Sequence, residues 1–325
     1  MDIHTHLTHY NHNKGTTDRI LGIVIHYVGA LGSARDNCIY FAGASRGASA
    51  HYYVDFDGSV WQSVEDKNIA WHCGAERGVS YKHPYLRNSN TIGIEMCVRN
   101  DSKDKTAESY GWYFEDATVQ GTIELVLELM SAYNIKSENV VRHFDITGKY
   151  CPNPYVYNHT KHVWKDFKES LEWVDVTKQY ADGTFLTLLS AQNNRYACVD
   201  LGSPDDAPVY ANKTTASTWE TFQITATEDN WVALKSVANN KYLSARLNPD
   251  LGSAPLHANV DHLRTWECFR IYRQAGFSYI QSMANNCYLT VMIDLPEAPV
   301  HAQAPEPFVA ERFLVSEPVE TKINA

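Results

Sequence analysis

Two rhythms of apolar and polar positions divide this chain. In the first, short apolar runs alternate with one long amphipathic stretch. GIVIHYV (22–28) reads as a buried strand with His26 near its end. HYYVDFDGSVWQSV (51–64) reads as strand, turn, strand, because the pair Asp57-Gly58 suits the tight turn of a hairpin. TIGIEMCV (91–98) is a further β-rich run, and NVVRH (139–143) is a short one. EDATVQGTIELVLELMSAYN places Val119, Ile123, Val126, Leu127 and Met130 at spacings that give a helix one apolar stripe. TKHVWKDFKESL (160–171) predicts a closing helix. Strands mixed with helices predict an α/β domain over residues 1–172, a mixed central sheet with flanking helices.

The second rhythm begins near residue 183 and holds no helix-length periodicity. It holds a repeat instead. SAQNNRY (190–196), SVANNKY (236–242) and SMANNCY (282–288) align. So do APVYAN (207–212), APLHAN (254–259) and APVHAQ (298–303), and then WETFQI (219–224), WECFRI (266–271) and AERFLV (310–315). Three copies of a strand-rich unit predict a closed three-fold structure, since closure removes exposed edge strands. The pattern resembles a β-trefoil of the fascin-like kind over 183–318, and it lacks the Gln-x-Trp repeat of ricin-type trefoils. The aligned Phe222, Phe269 and Phe313 are expected in the core. Trp219 and Trp266 have two readings, a structural role or stacking on sugars; the third copy has Ala310 there. Residues 173–182 are expected as a short linker without Gly/Ser enrichment, and 319–325 as a tail.

Composition narrows the function classes. A formal charge of −10 argues against a general grip on nucleic acid, which needs a Lys/Arg surplus. No run approaches the ~18 apolar residues that span a bilayer, so no membrane partner is expected. The opening MDIHTHLTHY lacks a basic patch followed by an apolar core, so synthesis in the cytoplasm without a secretory signal is expected. Seven widely spaced cysteines make a poor disulfide framework and are expected as free thiols. His4, His6, His9 and His12 form a tract expected to be solvated.

One constellation carries chemistry. Zinc suits imidazole nitrogen and thiolate sulfur, and a catalytic zinc keeps three protein ligands with one position for water. His26 ends one strand, His143 ends another, and Cys151 follows in a loop. Neighbouring strands lie ~4.8 Å apart, so two strand-end histidines can meet at one metal. Lys149 lies two residues before Cys151, on the same side of an extended stretch. Glu95 sits in a strand among apolar residues, an expensive place for a carboxylate without a partner or a function. Taken singly, each has a plainer reading: a hydrogen-bonded core histidine, a solvent-facing glutamate, an inert cysteine.

The pieces IVIHYVG, SAHYYVDFDGSVWQ, AWHCG, NSNTIGIEMCV and RHFDITGKYCPNP resemble, in order, the type-2 N-acetylmuramoyl-L-alanine amidases, over residues ~18–172. The resemblance implies His26, His143 and Cys151 as zinc ligands and Glu95 with Lys149 as the catalytic pair. It departs at Ala50-His51, where some members carry a catalytic tyrosine. His72 of AWHCG is a candidate substrate contact or a structural residue, and Asp145 a candidate for orienting a ligand. The implied protein is an endolysin that cuts the amide between N-acetylmuramic acid and L-alanine of bacterial peptidoglycan after release from the cytoplasm. Its trefoil would hold wall carbohydrate or a secondary wall polymer. The alternatives are a prophage autolysin of the same chemistry and a binding protein that recognises muropeptides without cutting them.

Overall fold

The computed structural model describes residues 2–75, 78–203, 205–227, 229–247 and 253–316. The chain divides into two compact units, Met1–Glu172 and Trp173–Ala325. The first is built on six strands: β1 (Ile3–Thr5), β2 (Gly22–Tyr27), β3 (Tyr52–Val54), β4 (Val60–Gln62), β5 (Thr91–Met96) and β6 (Val140–Arg142). They lie in the order β1-β4-β3-β5-β2-β6. Only the hairpin β3–β4 is antiparallel, so the sheet is mixed. All six residues of β2 are buried, as its unbroken apolar run requires of a strand covered on both faces.

The helices are α1 (Ala34–Ala42), α2 (Asp116–Tyr133), α3 (His143–Thr147), α4 (Asn153–Tyr157) and α5 (Trp164–Ser170). The buried side of α2 is broader than its apolar stripe. Thr118 and Thr122 join it because their hydroxyls donate to the carbonyls of Asp55 (2.9 Å) and Thr118 (2.7 Å). Leu127 and Met130 are only half-buried. The closing helix is shorter than the sequence predicts. The histidine tract is solvated as expected at His4, His6 and His9, yet its backbone is not loose. Ile3–Thr5 pairs in parallel with β4, His4 packs its ring against Trp61 at 4.8 Å, and His12–Asn13 pairs with Ile69–Ala70. An open sheet edge supplied backbone partners that composition could not reveal.

The second unit is antiparallel β-structure around one core, and its repeats have physical reasons. Asn193, Asn239 and Asn285 each donate from Nδ2 to a backbone carbonyl, of Ala211 (2.9 Å), Ala258 (2.7 Å) and Ala302 (2.8 Å). The first repeated motif is thereby tied to the second. The following Asn194, Asn240 and Asn286 all take positive φ, 55°, 60° and 58°, the left-handed conformation that asparagine tolerates better than most residues. In the third motif Glu220, Glu267 and Glu311 are buried. Each accepts the backbone N–H three residues earlier, from Ser217 (2.8 Å), Arg264 (2.8 Å) and Phe308 (2.7 Å). Phe222, Phe269 and Phe313 are fully buried, whereas Trp219 and Trp266 are each 44% exposed.

The segment 173–182 is structured and belongs to the second unit. Val174–Asp175 pairs with Cys268–Gln274, and the Trp173 ring stacks on Tyr272 at 5.4 Å. The expected tail 319–325 and residues 317–318 lie outside the described residues. The seven cysteines are free thiols, and no described helix is long and apolar enough to cross a membrane.

Candidate active site

Parallel strands deliver the site by aligning their carboxyl ends. Across β2 and β5, His26 pairs with Glu95; across β3 and β5, Tyr53 pairs with Glu95. Paired residues on neighbouring strands face the same side, so three side chains converge. On the other flank β6 pairs with β2 through Arg142 and Ile25. His143 then opens α3 rather than ending the strand as the sequence suggests. Gly148, at φ +87°, ends that helix in the left-handed conformation and turns the chain back. Phe144 N–H donates to the Cys151 carbonyl (2.8 Å), which closes the return and sets Cys151 beside His143.

The outcome is a cleft of about 310 Å³ whose lining includes His26, Tyr53, Glu95, His143, Lys149 and Cys151. His26, His143 and Cys151 are all buried, and one ligand atom of each lies within 4.8 Å of the others. Cys151 Sγ is 3.5 Å from His26 Nδ1. The rings of His26 and His143 meet edge to face at 4.8 Å.

Electrostatics suits this set to a cation. Burial, then the His143 and His72 charges, hold His26 well below the usual imidazole range. Burial, then Lys149, hold His143 down at about 3. Both rings are therefore neutral at pH 7 and offer lone pairs. Neither ring nitrogen of His143 has a hydrogen-bond partner among the described residues, although both are buried. Burial, then the Glu95 charge, push the Cys151 thiol up; a bound divalent ion reverses that preference by holding the thiolate. Neutral, convergent N, N and S donors, with both His143 nitrogens unpartnered, fit a metal.

Glu95 is unusual in its own right. Its Oε2 is buried without a partner, and desolvation lifts the carboxyl to about 8 against the opposing pull of Lys149. Lys149 itself is exposed at the rim.

His72 lies beneath the cluster. Its Nδ1 is 3.0 Å from His26 Nε2, and its Nε2 is 3.1 Å from Thr91 Oγ1. The Thr91 hydroxyl donates to the Arg87 carbonyl at 2.7 Å, so it must accept from His72 Nε2–H. Neutral His72 then accepts at Nδ1 from His26 Nε2–H, which leaves the His26 Nδ1 lone pair facing Cys151. Both His72 nitrogens are engaged within the protein, so neither is open to a substrate. The signal in the sequence was Gly93. A glycine inside a strand marks a close approach, and a Cβ there would sit 2.4 Å from His72 Cγ. His51, beside the absent tyrosine, accepts from Gly93 N–H (2.9 Å) and donates to the Asn68 carbonyl (3.1 Å). Asp145 does not orient a ligand: it pairs with Arg142 at 2.8 Å and accepts its backbone N–H.

Residues 16–154 match the family described as N-acetylmuramoyl-L-alanine amidase. A probable N-acetylmuramoyl-L-alanine amidase of Bacillus licheniformis is 33% identical over 144 residues, 42% of this chain and 37% of the relative. The N-acetylmuramoyl-L-alanine amidase BlyA of Bacillus subtilis is 32% identical over 161 residues, 46% of this chain and 40% of the relative. The solved structure of PlyL, 23% identical, covers 53% of this chain and 98% of its own, with a TM-score of 0.42. The chain thus spans about two fifths of the length of these curated relatives. Over residues 16–154 the N-terminal unit is similar to the N-acetylmuramoyl-L-alanine amidase family.

Proposed function

We propose that this protein is a zinc-dependent endolysin that hydrolyses the amide between the lactyl group of N-acetylmuramic acid and L-alanine in bacterial peptidoglycan. The observation that carries the reading is the juxtaposition of three buried donors with a carboxylate whose buried Oε2 has no partner and a rim cation. His26, His143 and Cys151 would hold the zinc, since two imidazoles and a thiolate suit its borderline softness. When bound, zinc supplies an activated water and Lewis acidity toward the carbonyl.

The remaining work falls to side chains. Glu95, which burial raises to about 8, would in its ionised form take the proton of the attacking water and pass it to the leaving nitrogen. Lys149 brings a positive charge to the oxyanion that develops on the carbonyl. His72, hydrogen-bonded to His26, keeps that ring's Nδ1 free for the ion.

For the second unit we propose a β-trefoil that anchors the enzyme to wall carbohydrate or a secondary wall polymer. The three-fold recurrence of the Asn-to-Ala bonds and buried glutamates supports the fold. The half-exposed Trp219 and Trp266 support a carbohydrate surface, because an indole face stacks on a sugar ring. Mass spectrometry of digested peptidoglycan tests the chemistry. Free L-alanine amino termini on intact glycan strands, lost with a zinc chelator, are expected. Cleaved glycan, or binding without any cleavage, overturns the reading.

A further inference from the structure

Beside the cleft stands a group of aromatic side chains that the hydrolysis does not use. Tyr110 and Tyr157 stack at 4.6 Å, and Tyr157 and Tyr150 stack at 5.5 Å. Such a stack is usually found indoors. Here Tyr110 is 67% exposed and Tyr150 44% exposed. Several other tyrosines of this unit are occupied. Tyr85 donates to Asn139 (2.6 Å), Tyr133 donates to Asp66 (2.6 Å), and Tyr40 lies under the Arg46 guanidinium at 4.0 Å. Among the described residues, the hydroxyls of Tyr110, Tyr150 and Tyr157 have no hydrogen-bond partner.

The stack is held, and it is continuous with the site. Buried Asn153 donates from Nδ2 to the carbonyls of Ala107 (2.6 Å) and Ser109 (3.0 Å). It thereby ties the loop carrying Tyr110 to the segment carrying Tyr150 and Tyr157. Ala107 and Lys149 both line the cleft, three residues and one residue from the stack. The exposed outer rings Tyr110 and Tyr150, backed by Tyr157 and carrying free hydroxyls, suit a pyranose, whose apolar C–H face packs on an aromatic ring while its hydroxyls seek donors and acceptors.

We propose that Tyr110, Tyr157 and Tyr150 form a platform for the N-acetylated amino-sugar rings of the glycan strand that bears the scissile amide. The proposal rests on the amidase reading for its occupant. One end of that substrate is a polysaccharide and the other a peptide, and the platform would fix which end leaves the cleft past Lys149.

The test is calorimetric titration of the zinc-loaded full chain with a peptide-free hexamer of alternating N-acetylglucosamine and N-acetylmuramic acid. Tyr110→Ala is expected to weaken binding about three- to tenfold, the worth of one aromatic contact, and Tyr110→Phe to keep most of it. Any binding by the second unit is a separate class of sites common to all variants, so it is fitted with one constant held equal across them and the comparison is made on the remaining class. Equal binding by wild type and Tyr110→Ala, or no binding by wild type, overturns the proposal. In kinetics, KM is expected to rise by the same factor on glycan-chain peptidoglycan and to stay unchanged on a single N-acetylmuramoyl-peptide; an equal rise on both overturns it. If wild type cleaves neither substrate, the amidase reading fails, and the calorimetric ratio still decides the platform.

Discussion

At the scale of single residues, the site is defined by groups whose environment contradicts their chemistry. Glu95 is a carboxylate whose buried Oε2 has no partner, and the proposed base role accounts for that position. Glu95→Gln keeps size and polarity and removes the base. Turnover is expected to fall about 10²–10⁴-fold while zinc content, read by metal analysis, stays at the wild-type level; full activity would remove Glu95 from the mechanism. Gly93 is the complementary case. A methyl there meets the His72 ring at 2.4 Å, and His72 holds His26. Gly93→Ala is expected to cost about 1–3 kcal/mol of stability and to weaken zinc retention against a chelator; unchanged retention would show that His72 does not position its neighbour. His51 sets an acid limit. Burial holds it at about 3, with Arg19 and His12 adding to the depression and the bond to Asn68 opposing it. In the unfolded chain it titrates near 6.5. Between these values the unfolded state binds a proton that the folded state refuses, so stability rises with pH through this window. It is fully present above about 6.5 and is lost as pH falls toward about 3. Denaturant unfolding at pH 7 and pH 5 is expected to show a wild-type loss greater than that of His51→Gln by about 2 kcal/mol.

At the scale of elements, the sequence patterns carried the strands further than the helices. GIVIHYV, the Asp57-Gly58 hairpin and TIGIEMCV were legible because a buried strand shows as an unbroken apolar run, and a hairpin shows its turn. His26, His143 and Cys151 were legible as a set only because their residue types match one metal's chemistry. Their actual meeting depends on the left-handed Gly148 and the bond between Phe144 and Cys151. The chain from His26 through His72 to Thr91 was not legible, since hydrogen bonds between residues 46 and 19 positions apart leave no periodic trace. The N-terminal edge strand was hidden for the same reason. In the second unit the repeat announced itself, but its cause lay in geometry: one asparagine bonds across to a carbonyl and the next takes positive φ. Replacing each tests the two causes separately. Asn239→Ala removes one bond and is expected to cost about 1 kcal/mol. Asn240→Val forces a β-branched residue into the left-handed region and is expected to cost about 1–2 kcal/mol, whereas Asn240→Gly should be close to neutral. Equal costs for valine and glycine would mean that the turn is held by something other than φ.

At the scale of the whole molecule, the two units differ in what holds them together. The donor cluster among the described residues lies wholly in the first unit. The second unit instead relies on an apolar core that includes the fully buried Phe222, Phe269 and Phe313. A ligand that binds only the folded state stabilises by mass action, about 2.7 kcal/mol when its free concentration is a hundred times Kd. For a unit of this size that is worth about 5–10 °C in unfolding temperature. On the proposed zinc reading, the ion couples to one cooperative unit and not to the other. Calorimetry of the full chain is expected to show two transitions. Chelation lowers the one assigned to the first unit by about 5–10 °C and leaves the second in place. The assignment comes from the Phe269→Leu variant, whose core defect should lower only the zinc-insensitive transition. If chelation moved both transitions equally, the metal would not be confined to His26, His143 and Cys151, and the separation of cutting from anchoring would lose its physical basis.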